Sequence, residues 1–370
     1  MAAERTEFSP KFLNAELRNS VTRSLDVSGA EVLHHKSPGI TIVDFPHNGE
    51  NVAAIWFNDR SEPDKPERGF FTLEGLSQFQ ENLSLIAKDH SLTGIIFTDN
   101  LPEESKVSFY GIDIKNVFGP IFERLSHGEA GEMEALLRQG QRISEKIYSY
   151  SKPFVAAARR LAVGGGFEFM IPAHRIIQGQ QASYQLPECQ LDVPQFVKER
   201  AKYDLQLGNP NYRNGKVLFP GWIGNALLSE KLHKAKIPAE TINQVVDEFT
   251  FNGKIITSAE AANLRLADKT VESDSDIIPV AADYITDTFW PLRVVGSGLR
   301  LPKRPENPTI YDTPGKIAGA ELLYHHSDKP QPNFILAEKA VELMIDAMWY
   351  GLSVKGSLPY HNDALFKQLG

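Results

Sequence analysis

Two glutamates, each placed beside a distinctive turn, are the residues of this chain best suited to acid–base chemistry. Glu168 follows three consecutive glycines, residues 164–166, and the apolar run 154–158 before them predicts a buried strand. Residues 167–170 predict the start of a helix, which puts Glu168 in its first turn. Glu188 follows a second pair of short predicted strands. Two carboxylates near exposed backbone N–H groups could move protons beside a carbonyl group.

The glycines at 164–166 predict a strand-to-helix turn at which a substrate could approach the backbone without meeting a Cβ atom. The N–H groups of a helix's first turn have no partner within the helix and favour negative charge. An upstream segment has the same pattern of a strand followed by a glycine. Residues 94–98 predict a short strand, and Gly111 then allows close approach to the backbone before a predicted helix. A glycine-rich turn alone indicates close packing more often than an active site. The two segments together favour a site.

These segments resemble motifs of the crotonase family, also called the enoyl-CoA hydratase/isomerase superfamily. The resemblance runs from Gly39 to Val271 and depends on the order and spacing of short segments, namely residues 109–115, 152–157, 164–168, 174–177, 186–188, 219–224, 252–254, 258–262 and 266–268. It implies an α/β fold, a crotonase-like spiral of ββα repeats with a helical C-terminal region. It also implies an acyl-CoA thioester substrate and no separate cofactor, since CoA is carried as part of the substrate.

The resemblance also implies a role for each residue of the site. The backbone amides of Ile112 and Gly165 would form an oxyanion hole for the thioester carbonyl. Glu168 would hold and activate the water that attacks Cβ, and Glu188 would deliver a proton to Cα. A carboxyl group that donates a proton at neutral pH needs a raised pKa, which an apolar pocket can supply. The residues expected to bind substrate and CoA are Tyr110, Gly111, Ile112, Asp113, Ile114 and Gly164, and no metal ligand is expected.

Glutamate at both acidic positions favours hydration of a 2-enoyl-CoA, because related isomerases and hydrolases often replace the first carboxylate. Three alternatives stay open: an enoyl-CoA isomerase, a hydrolase or C–C bond enzyme acting on an unusual or cyclic acyl-CoA, and a non-catalytic acyl-CoA-binding subunit. The chain departs from the family pattern at Arg159-Arg160, where a small residue is usual. A polar insertion at 192–216 is expected to border the acyl end of the pocket and to set substrate choice.

The composition is typical of a soluble enzyme. The chain has 370 residues, of which 42% are hydrophobic, enough to bury a full core. A formal charge of −8 argues against a dedicated nucleic-acid binder. The single cysteine, Cys189, cannot form an intrachain disulfide and suits a reducing compartment. Since no apolar run approaches transmembrane length and the N-terminus lacks an apolar signal core, we expect a cytoplasmic protein.

Three regions are predicted: an N-terminal arm at 1–38, a crotonase-like core at 39–272 containing the insertion, and a helical C-terminal extension at 273–370. Apolar residues on the arm and the extension supply surface for a homotrimer or hexamer, which the resemblance implies. Several elements have specific signals: a hairpin turn at Asn48-Gly49, a helix cap at Thr72, and amphipathic helices within 133–147 and at 334–350.

Overall fold

The computed structural model describes residues 31–35, 39–58, 71–99, 105–118, 120–121, 131–188, 220–222, 224–246, 248–249 and 253–286. Most of the predicted N-terminal arm, the insertion at 192–216 and the helix predicted at 334–350 lie outside these ranges. The described residues form two compact units. Unit 1 contains those up to 113, those of 143–184 and those from 256 onward, and unit 2 contains those of 114–142 and 185–255. The predicted domain boundaries stay predictions.

Eleven strands are described. In chain order they are β1 Glu31–His35, β2 Gly39–His47, β3 Glu50–Asn58, β4 Leu92–Phe97, β5 Val107–Phe109, β6 Phe154–Ala158, β7 Leu161–Val163, β8 Arg175–Gly179, β9 Ser183–Gln185, β10 Ile256–Thr257 and β11 Lys269–Val271. Seven of them form the main sheet of unit 1, in the order β1-β2-β3-β4-β6-β8-β11. The first three strands pair antiparallel, and β3, β4, β6, β8 and β11 pair parallel.

The predicted hairpin is confirmed. Strands β2 and β3 pair antiparallel from Gly39 opposite Asn58 to His47 opposite Glu50. Asn48 and Gly49 form the turn with φ angles of 50° and 83°, the left-handed backbone that matches the twist of a tight hairpin. A side-chain contact joins the end of β2 to a distant part of the chain, because Nε2 of His47 lies 2.7 Å from Oδ1 of Asp283.

A second sheet carries the glycine-rich segments that the sequence singles out. It has four strands, in the order β10-β9-β7-β5. Strands β5 and β7 pair parallel, and β9 and β10 pair antiparallel. Gly111 comes shortly after β5, and Gly164 directly after β7. Since parallel neighbours end at the same edge of a sheet, both segments leave this sheet on one side.

The described helices are α1 Leu73–Lys88, α2 Gly131–Tyr148, α3 Gly165–Met170, α4 Gly224–Lys234, α5 Ala239–Val246, α6 Ser258–Asn263 and α7 Ile277–Thr286. Thr72 caps α1 as predicted, because its Oγ1 accepts a hydrogen bond from the amide of Gly75 at 3.0 Å. Helix α2 confirms the predicted amphipathic helix. In unit 2, α4 packs against α5. Within the described part of the chain, no helix is long and apolar enough to cross a membrane.

Helix α7 covers one face of the main sheet. Its apolar residues are buried together with side chains of the sheet in one cluster, in which the helix supplies Ile277, Ile278, Ala281, Ala282 and Ile285. The strands supply residues such as Val43, Ala54 and Ile96, all fully buried. Burying such a surface is the main favourable contribution to folding. Because α7 follows the last strand of the main sheet, the sheet's core is completed by a helix within the region predicted as the C-terminal extension.

Candidate active site

The glycine-rich turn leads from β7 into α3. Gly164 has φ 55° and ψ −133°, in the positive-φ region that favours glycine. The amide of Glu168 donates the first intrahelical hydrogen bond, to the carbonyl of Gly164 at 2.9 Å. The amides of Gly165, Gly166 and Phe167 therefore precede the helix's own hydrogen bonds. This arrangement confirms the predicted strand-to-helix turn, with Glu168 in the first turn.

Gly166 meets the chain's own backbone rather than an open space. A Cβ added at Gly166 would stand 2.5 Å from the carbonyl oxygen of Tyr110 and 2.7 Å from Cβ of Phe109. The absence of a side chain at 166 therefore lets α3 pack against the chain that leaves β5. This differs from the expectation that all three glycines open the backbone to a substrate. At this position the physical reason is internal packing.

The segment after β5 is fixed by backbone pairing with Phe71. The amide of Phe71 donates to the carbonyl of Gly111 at 3.0 Å, and the amide of Asp113 donates to the carbonyl of Phe71 at 3.2 Å. In a parallel bridge of this kind the intervening residue, Ile112, directs its own amide to the opposite side. Among the described residues, no backbone carbonyl accepts from the amide of Ile112 or of Gly165.

Gly111 lets the chain that carries Ile112 approach the amide of Gly165 closely. A Cβ added at Gly111 would lie 3.1 Å from the backbone nitrogen of Gly165 and 3.7 Å from Cα of Gly164. Ile112 is bonded directly to Gly111, so its amide leaves the chain beside the N-terminus of α3. Two N–H groups at a helix N-terminus form a local site that favours an anionic oxygen.

Glu168 is a buried residue of a short helix that is buried along its whole length. The side chain is 2% exposed, and every residue of α3 is buried. Aromatic rings pack around this short helix, with the rings of Phe169 and Phe71 at 5.0 Å and those of Phe167 and Tyr184 at 4.9 Å. Its burial distinguishes Glu168 from a surface glutamate.

Glu188 belongs to unit 2, whereas Glu168 belongs to unit 1, and each is described within its own unit. The chain leading to Glu188 is anchored by Gln185, whose Nε2 donates to the carbonyl of Gly253 at 2.8 Å. Leu186 is fully buried, and Glu188 is half-buried with its Oε2 shielded from solvent. The glutamate is therefore held on a short, anchored segment of unit 2.

The other predicted binding residues divide in the same way. Tyr110, Gly111, Ile112 and Gly164 lie in unit 1, around the start of α3. Asp113 is also in unit 1 and is buried, 5% exposed. Ile114 opens a π-helical turn, Ile114–Phe118, in unit 2, and its side chain is 46% exposed. Every predicted site residue except Glu188 and Ile114 thus lies in unit 1.

Two residues of this region carry no signal in the sequence. Phe71 orients Ile112 through its backbone, and Ser108 on β5 accepts hydrogen bonds from the amides of Arg159 and Arg160. Both contacts join segments far apart in the chain, so local patterns could not reveal them. In the portion of the chain that is described, no group of three or more histidine, cysteine, aspartate or glutamate side chains could hold a metal ion.

Comparison with known proteins gives three results. No protein-family model matches the chain. A curated relative, a probable enoyl-CoA hydratase of Bacillus subtilis (strain 168), is 35% identical over 83 residues, which are 22% of this chain and 30% of that protein. The chain thus spans less than a third of the length of the curated relative that it matches.

Among solved structures, an enoyl-CoA hydratase from Bacillus halodurans superposes with a TM-score of 0.50 at 15% identity, covering 85% of this chain and 99% of that chain. An enoyl-CoA hydratase from Bacillus anthracis superposes with a TM-score of 0.44 at 18% identity, covering 67% of this chain and 74% of that chain. At 15% identity, the similarity to the Bacillus halodurans structure is evidence about the fold alone. The chain therefore has the fold of that enoyl-CoA hydratase, an α/β fold of the kind that the crotonase resemblance implies.

Proposed function

We propose that this protein is an enzyme that processes acyl-CoA thioesters, and that its reaction is the hydration of a 2-enoyl-CoA. The observation that carries the proposal is the close approach of Gly111 to the backbone nitrogen of Gly165, which brings the chain at Ile112 to the N-terminus of α3. A buried carboxyl group, that of Glu168, lies in the first turn of the same helix. The fold and the name of the curated relative agree with this chemistry.

The two amides would stabilise charge on the thioester oxygen. When water adds to Cβ of a conjugated thioester, negative charge develops on the carbonyl oxygen. Two N–H donors already aimed at that oxygen lower the barrier by roughly several kcal/mol, because they need no reorganisation during the reaction. The N-terminus of α3 adds a favourable field at Gly165. The amide of Gly165, which precedes the helix's own hydrogen bonds, would thus have a catalytic role.

The two glutamates would divide the proton transfers. In this proposal the carboxylate of Glu168 holds the attacking water and takes its proton as the oxygen bonds to Cβ. The carboxyl group of Glu188 gives a proton to Cα, so that one water is added across the double bond. In the dehydration direction the two roles are exchanged. The burial of Glu168 in the first turn of α3 supports a role inside a site rather than on the surface.

The substrate and assembly follow as parts of the same proposal. The segment from Tyr110 to Ile114 would bind the CoA portion, with Gly164 allowing close approach. The insertion at 192–216 would border the acyl end of the pocket and select the acyl group. The active protein would be a homotrimer or a hexamer made of two trimers, a state that light scattering at micromolar concentration would establish or rule out.

The test is direct. The purified protein is mixed with a series of 2-enoyl-CoA thioesters, and loss of the conjugated absorbance is followed while chromatography identifies the product. A 3-hydroxyacyl-CoA product is expected, and a 3-enoyl-CoA or free CoA would instead identify an isomerase or a hydrolase. Calorimetry with CoA and a saturated acyl-CoA measures binding separately. If neither ligand binds and no thioester is consumed, the proposed function is wrong.

A further inference from the structure

Ser108 lies on β5 at a point where the regular pairing of β5 with β7 is interrupted. Strands β5 and β7 are parallel, with Val107 opposite Leu161 and Phe109 opposite Ala162. The register shifts between these pairs, so Ser108 is the extra residue of a bulge. Its side chain is 3% exposed, and its Oγ accepts from the amides of Arg159 at 3.0 Å and Arg160 at 2.7 Å. The hydroxyl thus ties β5 to the corner between β6 and β7, directly before β7 begins.

The corner that Ser108 binds is held from two further sides. The guanidinium of Arg159 donates through Nε to Oδ1 of Asp99 at 3.0 Å, and its Nη2 contacts the same oxygen. Asp99 is buried, 5% exposed, and follows the end of β4. The guanidinium of Arg160 donates to Oδ2 of Asp274 at 2.6 Å. These contacts fix the position of the β6–β7 corner in unit 1.

The position of this corner governs the two proposed oxyanion donors. From Ser108 the chain runs through Phe109 and Tyr110 to Gly111 and Ile112. From Arg160 it runs along β7 to Gly164 and Gly165. Each strand therefore delivers one amide only a few residues after the Ser108 contact. A slip of β5 on β7 would change the separation of the two amides directly.

We propose that Ser108, supported by the Asp99–Arg159 ion pair, is a positioning residue that sets the separation of the Ile112 and Gly165 amides. The inference rests on the proposed function, since it assigns those amides to the thioester oxygen. Ser108 does not touch the substrate in this proposal. It acts by holding the strand that carries one donor against the strand that carries the other. Bulges next to active sites commonly serve to aim a neighbouring group.

The experiment compares Ser108→Ala with Ser105→Ala. Ser105 is the matched control because its hydroxyl bonds only locally, donating to the carbonyl of Val107 at 3.0 Å. For Ser108→Ala we expect kcat to fall by roughly tenfold with KM within about twofold, since displacing reacting groups by a fraction of an ångström is enough to slow a reaction. For Ser105→Ala both constants should stay close to those of the natural protein.

A second measurement reports on the donors without turnover. A chromophoric conjugated acyl-CoA absorbs at longer wavelength when hydrogen bonds polarise its carbonyl, so the red shift on binding measures the two amides together. Ser108→Ala should bind this probe with nearly unchanged affinity and show a smaller red shift. Asp99→Asn, which keeps the size of the side chain and removes its charge, should show the same change to a smaller extent. It also serves as the test variant if Ser108→Ala does not fold.

The outcomes separate this inference from the proposed function. If the natural protein hydrates an enoyl-CoA while folded Ser108→Ala or Asp99→Asn keeps its kcat and its red shift, the positioning role is overturned and the function stands. If the natural protein itself neither binds the probe nor consumes a thioester, the function fails and the inference fails with it. A lower kcat with an unchanged KM and a reduced red shift supports both.

Discussion

The carbonyl oxygen of Tyr110 lies so close to Gly166 that a Cβ added at Gly166 would stand 2.5 Å from it. A second close approach lies beside the first, because a Cβ on Gly111 would lie 3.1 Å from the nitrogen of Gly165. These two approaches dock the start of α3 on the segment that follows β5. Two backbone segments can come this near only where side chains are absent, so the glycines build the candidate oxyanion site before any ligand binds.

Replacing Gly166 by alanine should therefore damage both stability and catalysis. The added methyl meets backbone atoms that cannot rotate away, which overpacks the contact and costs about 1–3 kcal/mol of unfolding free energy. The same displacement moves α3 away from Ile112, and we expect kcat to fall on the order of tenfold or more. Chemical denaturation and the hydration assay measure the two effects.

Gly131→Ala is the matched control for Gly166→Ala. Nothing lies within 4 Å of a Cβ added at Gly131, which begins α2. Alanine there should leave activity unchanged and leave stability equal or slightly raised, since alanine favours a helix over glycine. Wild-type stability and wild-type activity in Gly166→Ala would show that the close approach to Tyr110 is not maintained in solution.

Gly164→Ala tests the backbone conformation at residue 164 rather than the room available for a side chain. With φ at 55° the residue lies where a side chain is strained, at a cost of about 1–3 kcal/mol. Because the strain lies directly before Gly165, relief would rotate the amide proposed as an oxyanion donor. We expect a loss of stability together with a large loss of kcat.

Gly49→Ala is the control that separates the loss of stability from the loss of kcat. Gly49 also has positive φ, 83°, and a Cβ there would meet nothing within 4 Å. The same kind of strain in the β2–β3 turn should lower stability without lowering kcat. An equal loss of kcat in both variants at equal stability would indicate that strain alone, and not the direction of the Gly165 amide, affects activity.

The two glutamates should be distinguishable by conservative substitution. Glu168→Gln and Glu188→Gln should each lower the hydration rate by roughly two orders of magnitude or more, the usual effect of removing a general acid or base. Glu81→Gln is the control, since Glu81 is exposed on α1 and its replacement removes a charge alone. A Glu168→Gln protein that hydrates at the natural rate would refute the water-activating role.

The features that the sequence predicts well depend on residues adjacent in the chain. Asn48-Gly49 turns the hairpin, Thr72 caps α1, and the start of α3 follows its glycines, because each signal acts within one turn of backbone. The bridge from Phe71 to Ile112 and the bulge at Ser108 were not predictable. Each depends on where a segment distant in the chain lies, and nothing in residues 105–113 specifies that position.

At Gly166 the glycine motif predicts the turn correctly, but substrate access is not the reason that glycine is needed there. The glycine triplet predicts a strand-to-helix turn near a site, and the structure has that turn. The identity of the atom facing Gly166, the carbonyl oxygen of Tyr110, follows from the pairing of β5 with β7. Motif spacing therefore predicts which residues belong to the region, whereas tertiary packing decides which of them face a ligand and which face the protein.

The alkaline limit of stability should depend on two buried tyrosines. Burial raises the pKa of Tyr184 and of Tyr150 above the ordinary value of 10.0. The hydroxyl of Tyr184 donates to Oε1 of the fully buried Gln178 at 2.8 Å, and that of Tyr150 donates to the carbonyl of Leu83 at 2.6 Å. In the folded protein both tyrosines therefore stay protonated at pH values where the unfolded chain ionises.

The sign of the effect follows from this difference. A group whose pKa is raised on folding contributes stability that is fully present below the unfolded pKa, and this stability is lost as the pH rises above it. Above about pH 10 each of the two tyrosines should lower the free energy of unfolding by about 1.4 kcal/mol per pH unit. The free energy of unfolding of the natural protein should thus fall by about twice that amount per pH unit, because both tyrosines contribute.

Tyr184→Phe should remove half of this dependence. At neutral pH the variant should be less stable by about 1–3 kcal/mol, because Oε1 of Gln178 loses its buried donor. Above about pH 10 its stability should fall more gently than that of the natural protein, by one tyrosine's share. Denaturation curves at a series of alkaline pH values measure the slope, and tyrosinate absorbance counts the groups that ionise before unfolding. Ionisation of Tyr184 in the folded protein near pH 10 would show that its hydroxyl is not buried as described.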